Sequence, residues 1–159
     1  MRLGIHTSIS GSLEAAALKA AELGANTFQI FSSSPRMWRA SLPDAADVRR
    51  LHAARERFDL RPLAIHVNYL VNLASLNREI RAKSTEAFRG ELERAAKIGA
   101  EFLVVHPGSY KGGTIEESID AFARALAESA RGVRARGVTV LIENTAASSS
   151  GLPRSMPAK

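Results

Sequence analysis

There is no cysteine in the 159 residues of this sequence. That excludes a disulfide framework, a CxxC zinc knuckle and a thiol nucleophile, and it agrees with a cytoplasmic protein. No stretch approaches the roughly 18 consecutive apolar residues of a membrane-spanning helix, and the opening MRLGIHTSISG lacks the apolar core of a signal peptide. No glycine-rich phosphate fingerprint follows the first apolar run, which argues against a dinucleotide-binding domain. What is there suits a soluble globular protein: hydrophobic residues make up 45% and charged residues 24%, in a length that allows one domain with a sizeable core. Twenty-two Lys and Arg against sixteen Asp and Glu give a net charge of +6. A basic balance favours an anionic partner such as nucleic acid. Many of the arginines fall in helical patterns, however, where a solvated face accounts for them equally well.

Apolar, β-rich runs alternate with longer helical patterns along the chain. RLGIHTS reads as a strand, SLEAAALKAAELG as a helix closed by Gly24, and NTFQIF as a second strand followed by the loop SSSPRMWRASLP. Pro43 and Asp44 open the helix DAADVRRLHAARERF. The strand PLAIHV, the helix EIRAKSTEAFRGELERAAKIG and the strand EFLVVHPG come next. A helix over 114–137 then starts with a capping box, Thr114 and Glu117, and VTVLIENT is a fifth strand. This alternation predicts an α/β fold with a parallel sheet and helices outside, either an open doubly wound sheet or a (β/α) barrel. A complete barrel typically takes about 250 residues and eight strands. Five strand–helix units are counted here.

Polar residues recur where these strands end: His6 in GIHTS, His66 in AIHVN, His106 in VVHPG and Glu143 in LIENT. In parallel α/β folds those ends share one face, and that face is where chemistry is built. Two imidazoles and a carboxylate gathered there make a ligand set for zinc or another transition metal. The competing reading is that each histidine is a hydrogen-bonded structural residue. The agreement of three strand ends, and the cost of burying Glu143 unpaired, weigh against it. His6 reads as a neighbour of the site rather than a ligand, and His52, inside a helical pattern, as a surface histidine.

The segments GIHTSISGSLEAA, FQIFSSSPRMWRA, HVNYLVNLAS, HPGSYKGG and VLIENTA, in this order and spacing, resemble the endonuclease IV family of apurinic/apyrimidinic-site endonucleases. The resemblance runs from Met1 to about Ala146. It implies a xylose-isomerase-like TIM barrel with a trinuclear zinc cluster at its C-terminal face. It also implies hydrolysis of the phosphodiester 5′ to an abasic site in double-stranded DNA during base excision repair, leaving a 3′-hydroxyl and a 5′-deoxyribose phosphate. By position, His66 and His106 match two histidine ligands of one zinc, and Glu143 matches the carboxylate that bridges it to a second. Arg36, Tyr69 and Leu70 match residues that enter the duplex at the lesion. Such side chains can fill the gap of an unstacked base step, and extrusion costs least where a base is already missing. The family's clustered metals activate water and neutralise charge on the phosphate.

The resemblance has limits. Tyr110 stands where many members have a histidine. After ENTA the chain reads ASSSGLPRSMPAK instead of continuing into further strand–helix units. The expected organisation is therefore a barrel portion over 1–146 and a divergent, disordered tail over 147–159, with truncation or a frameshift as its origin. The remaining zinc ligands of the family have no counterparts here. The expectation is at most one zinc, little or no cleavage by this chain alone, and an exposed edge at the fifth strand that favours self-association in a family that is otherwise monomeric. Two other readings stay open: a metal-dependent sugar isomerase or epimerase on the same barrel, and a DNA-binding fragment without activity.

Overall fold

The computed structural model describes residues 1–109 and 111–144. Strands β1 (Gly4–His6), β2 (Thr27–Phe31), β3 (Leu63–His66), β4 (Phe102–Val105) and β5 (Thr139–Ile142) alternate with helices α1 (Leu13–Glu22), α2 (Ala45–Arg57), α3 (Arg78–Ile98) and α4 (Ile115–Ala130). All strand pairs are parallel, and their spatial order follows the sequence, β1 to β5. This is the arrangement of an incomplete barrel, one of the two architectures that the strand–helix alternation allows and the one that the family resemblance implies. The expectation for residues 147–159 lies outside the described residues, as does Tyr110.

The helices begin where short polar side chains can satisfy their free N–H groups. Ser12 accepts from Ala15 N–H, Asp44 from Ala46 and Asp47, and Asn77 from Glu79 and Ile80. Thr114 and Glu117 form the expected capping box. The helix α4 stops at Ala130, not at Gly137 as the periodicity suggests. Gly132 adopts φ +79°, a left-handed conformation that turns the chain out of the helix.

Alternation along the strands divides the sheet into two faces. Phe28, Ile30, Leu63, Ile65, Leu103 and Val105 are buried in one core cluster with Ala16, Ala17 and Ala20 of α1, Leu51 of α2 and Phe88 and Leu92 of α3. The opposite face is layered by the strand register. His6 aligns with Gln29, which aligns with Ala64 and then Phe102. One step further along, Phe31, His66, Val104 and Leu141 form the next row. His106 lies two residues beyond Val104, and Glu143 two beyond Leu141, so both continue this face past the ends of the strands.

The sheet ends in two edges. β5 is mostly exposed, with Leu141 and Ile142 open to solvent, and Ile5 on β1 is exposed as well. Ile115 and Ile119 of α4 are also uncovered. Among the described residues nothing pairs with the outer edge of the fifth strand, in line with the exposed edge that the sequence predicts for five units of a larger barrel. Among the described residues, no helix is long and apolar enough to cross a membrane.

Candidate metal centre at the strand ends

His66, His106 and Glu143 converge at the C-terminal end of the sheet, each offering a ligand atom within 4.8 Å of the others. Register explains why. All three project from the face away from the helices, and consecutive strands carry them. The two imidazole rings lie 4.9 Å apart, centroid to centroid, and Nε2 of His66 is 3.4 Å from the Glu143 carboxylate.

Hydrogen bonds to backbone carbonyls fix which nitrogen each ring presents. His66 Nδ1 lies 2.7 Å from the carbonyl oxygen of Val67, and His106 Nδ1 lies 3.0 Å from that of Glu143. A carbonyl can only accept, so Nδ1 carries the proton in both rings, and in the neutral imidazole Nε2 is then the nitrogen whose lone pair can reach a metal. Orientation of ligand imidazoles through the second nitrogen is the usual arrangement in metal sites. Together with a carboxylate, these donors suit a transition metal such as zinc. His66 is buried and the Glu143 side chain is 52% exposed. The argument that Glu143 must avoid unpaired burial therefore does not apply. It lies just past the end of the edge strand β5, where water reaches the carboxylate.

His6 does not join the group. It is one row back on the sheet, its Nδ1 is 2.9 Å from Nε2 of Gln29, and the Phe31 ring packs against both His6 and His66. Burial first, and then the charge of His66, hold the His6 pKa below its ordinary value. His52 is exposed, as expected, but its Nε2 lies 2.8 Å from the Ile98 carbonyl oxygen at the end of α3. Among the described residues no second group of three or more such donors converges.

Tyr69 and Leu70 follow His66 on the next loop. Tyr69 is 69% exposed and leans edge-on against Phe31, ring centres 5.1 Å apart, while Leu70 is half-buried. Arg36 is exposed on the loop between β2 and α2. The two loops touch: the Asn68 side-chain amide donates to the Met37 carbonyl at 3.4 Å. A hollow of 270 Å³ opens beside His106, lined among others by Tyr69, Asn72 and Ser109. Sequence reasoning missed Asn72, whose side-chain amide pairs with both backbone groups of Ser109 at 3.2 Å. It thereby closes one wall of the hollow. An asparagine in a polar loop carries no distinguishing pattern.

The sequence model of a family described as xylose isomerase-like TIM barrel matches residues 17–155. A protein of Solibacter usitatus called probable endonuclease 4 is 66% identical over 146 residues, which cover 92% of this chain and 50% of that protein. The crystal structure of endonuclease IV from Thermus thermophilus superposes with a TM-score of 0.77 at 40% identity, covering 93% of this chain and 53% of the other. A D-tagatose 3-epimerase-like protein, 22% identical with a TM-score of 0.63 over 89% of this chain and 53% of its own, shares the fold alone. The chain thus spans about half the length of the relatives it matches.

Proposed function

The chain belongs to the xylose isomerase-like TIM-barrel family, and we propose that it carries part of the catalytic face of a zinc-dependent apurinic/apyrimidinic-site endonuclease acting in base excision repair in the cytoplasm. The observation that carries this reading is the convergence of His66, His106 and Glu143 within 4.8 Å at the strand ends, beside the exposed Tyr69. The likeness to proteins named endonuclease 4 supports it.

His66 and His106 would hold zinc through Nε2, and Glu143 would hold it through its carboxylate. Bound zinc supplies Lewis-acid activation of water and neutralisation of phosphate charge. The chain's own residues do the rest. The Val67 and Glu143 carbonyls hold the two rings in the ligating tautomer. Arg36, Tyr69 and Leu70 are assigned to the duplex: an aromatic and an aliphatic side chain replace the missing base in the stack, and the guanidinium contacts phosphate or stacks. With one converging donor group among the described residues, this chain holds at most one zinc and cleaves abasic DNA little or not at all by itself.

The sugar isomerase or epimerase reading shares the fold and a metal at the same face, but gives no use to an exposed Tyr69 and an exposed Arg36 on two loops that touch. A zinc measurement comes first. Chelator-washed, zinc-reloaded protein is expected to retain about one zinc per chain, lost in His66→Ala. Roughly three per chain, or none, overturns the assignment. An electrophoretic titration with abasic and intact duplexes then tests recognition. Preferential binding of the abasic duplex is expected; equal affinities that fall together with salt reduce the interaction to basicity.

A further inference from the structure

The loops assigned to DNA have a common anchor that the metal centre does not use. Glu91 and Arg94 lie one turn apart on α3, their side chains 1% and 5% exposed, with Arg94 Nη2 3.0 Å from Glu91 Oε1. Glu91 also accepts a short hydrogen bond from the Ser32 hydroxyl and one of 3.4 Å from the Asn68 amide. Arg94 donates from Nε to Ser32 Oγ at 2.8 Å and from Nη1 to the Ala40 carbonyl at 3.2 Å. Asn68 in turn donates to the Met37 carbonyl. One buried network therefore holds the Arg36 loop at Ser32, Met37 and Ala40, and the Tyr69–Leu70 loop at Asn68.

We propose that Glu91 and Arg94 are positioning residues that fix the Arg36 loop and the Tyr69–Leu70 loop in one relative placement, so that both meet a duplex as a single unit. The proposal rests on the reading of these loops as the DNA-contacting elements. Residues 32–43 form no helix or strand, so side chains must supply their order. The Arg39–Glu86 pair is 80% and 60% exposed, and exposed pairs fix little. The buried network is the stronger restraint. Desolvating two charges on one helix gains little stability over well-packed apolar side chains, so conformational specificity is the role left for the pair.

Trp38, the only tryptophan, lies on the restrained loop and reports its order directly. The test compares wild type with Ser32→Ala and with the paired Glu91→Leu/Arg94→Met, which keeps side-chain volume while removing both buried charges. Each variant is checked for unchanged far-UV circular dichroism and melting. In a folded variant, acrylamide quenching of Trp38 is expected to rise about twofold and its anisotropy to fall. Preference for an abasic over an intact duplex should drop about tenfold, with zinc content unchanged. Wild-type quenching and anisotropy in a folded variant overturn the proposal, and Ser32→Ala decides it if the paired variant does not fold. The fluorescence is read without DNA. A wild type that shows no abasic preference therefore overturns the proposed function, while Trp38 independently decides the positioning role.

Discussion

Arg55 is a charged residue in an apolar setting whose partners are all in place. Buried on α2, it donates from Nη2 to both carboxylate oxygens of Glu101 at 2.7 Å, from Nη1 to the Gly99 carbonyl and from Nε to the Leu60 carbonyl. The Glu101 carboxylate also accepts from Leu63 N–H at 2.8 Å, joining the starts of β3 and β4. Burial pushes the Glu101 pKa up, but hydrogen bonds from Leu63 and Arg55 and the guanidinium charge outweigh it, and the net shift is downward. A carboxyl held below its unfolded value stabilises the fold fully above that value, and the contribution is lost as pH falls through the folded value. Glu101 is 40% exposed, which limits its share. Glu101→Gln is expected to cost about 1–2 kcal/mol at neutral pH, with the gap to wild type closing in acid. Urea unfolding of both proteins at pH 7 and near pH 3.5 checks this. The residue scale is also where the sequence was least transparent. His66, His106 and Glu143 stood out because each ends a strand pattern. Glu91 and Arg94 sit in a charged helix, where an i, i+3 pair looks like any solvated face, and only tertiary packing tells the two apart.

The elements themselves were largely legible, because apolar periodicity and capping chemistry are local. Asp44 and Thr114 cap the helices that the sequence assigns to them, and Ser12 caps the helix read from that residue onward. The end of α4 was not legible: residues 131–137 hold three arginines and two glycines, and it is the first glycine, at 132, that decides the turn. The loop after β4 depends on backbone geometry in a similar way. Gly108 has φ +103°, and a Cβ there would lie 2.1 Å from Asn72 Oδ1. The Asn72 amide could not keep its pair of bonds to Ser109. Gly108→Ala is expected to destabilise the protein by about 2–4 kcal/mol, combining backbone strain with lost hydrogen bonds. Because Gly108 is two residues from His106, zinc affinity should weaken as well. Thermal melting with and without zinc separates the two effects. A variant that melts like wild type would show that the loop absorbs the added methyl group.

At the scale of the molecule, five parallel strands in sequential order leave two edges that pair with nothing among the described residues. Strand–helix alternation made this architecture readable, since parallel strands need crossovers and crossovers of this length are helices. The choice between an open sheet and a barrel portion was not settled by pattern, because curvature and closure are not written in any one segment. The exposed side chains of Ile115, Ile119 and Ile142 border an apolar groove beside β5. Contiguous apolar surface of this kind drives association. Sedimentation velocity over a concentration series should show self-association that Ile119→Lys with Ile142→Lys reduces. Unchanged association would place the contact elsewhere. The hydrogen bond from His106 Nδ1 to the backbone of Glu143 spans 37 residues, and His66 lies about as far again toward the N-terminus. An ion shared by these three side chains would therefore cross-link distant points of the chain, removing entropy from the unfolded ensemble and docking the edge strand β5 against β4. Metal uptake and completion of folding would then be one cooperative event, so that the ion serves as a clasp for the sheet as much as a participant in chemistry.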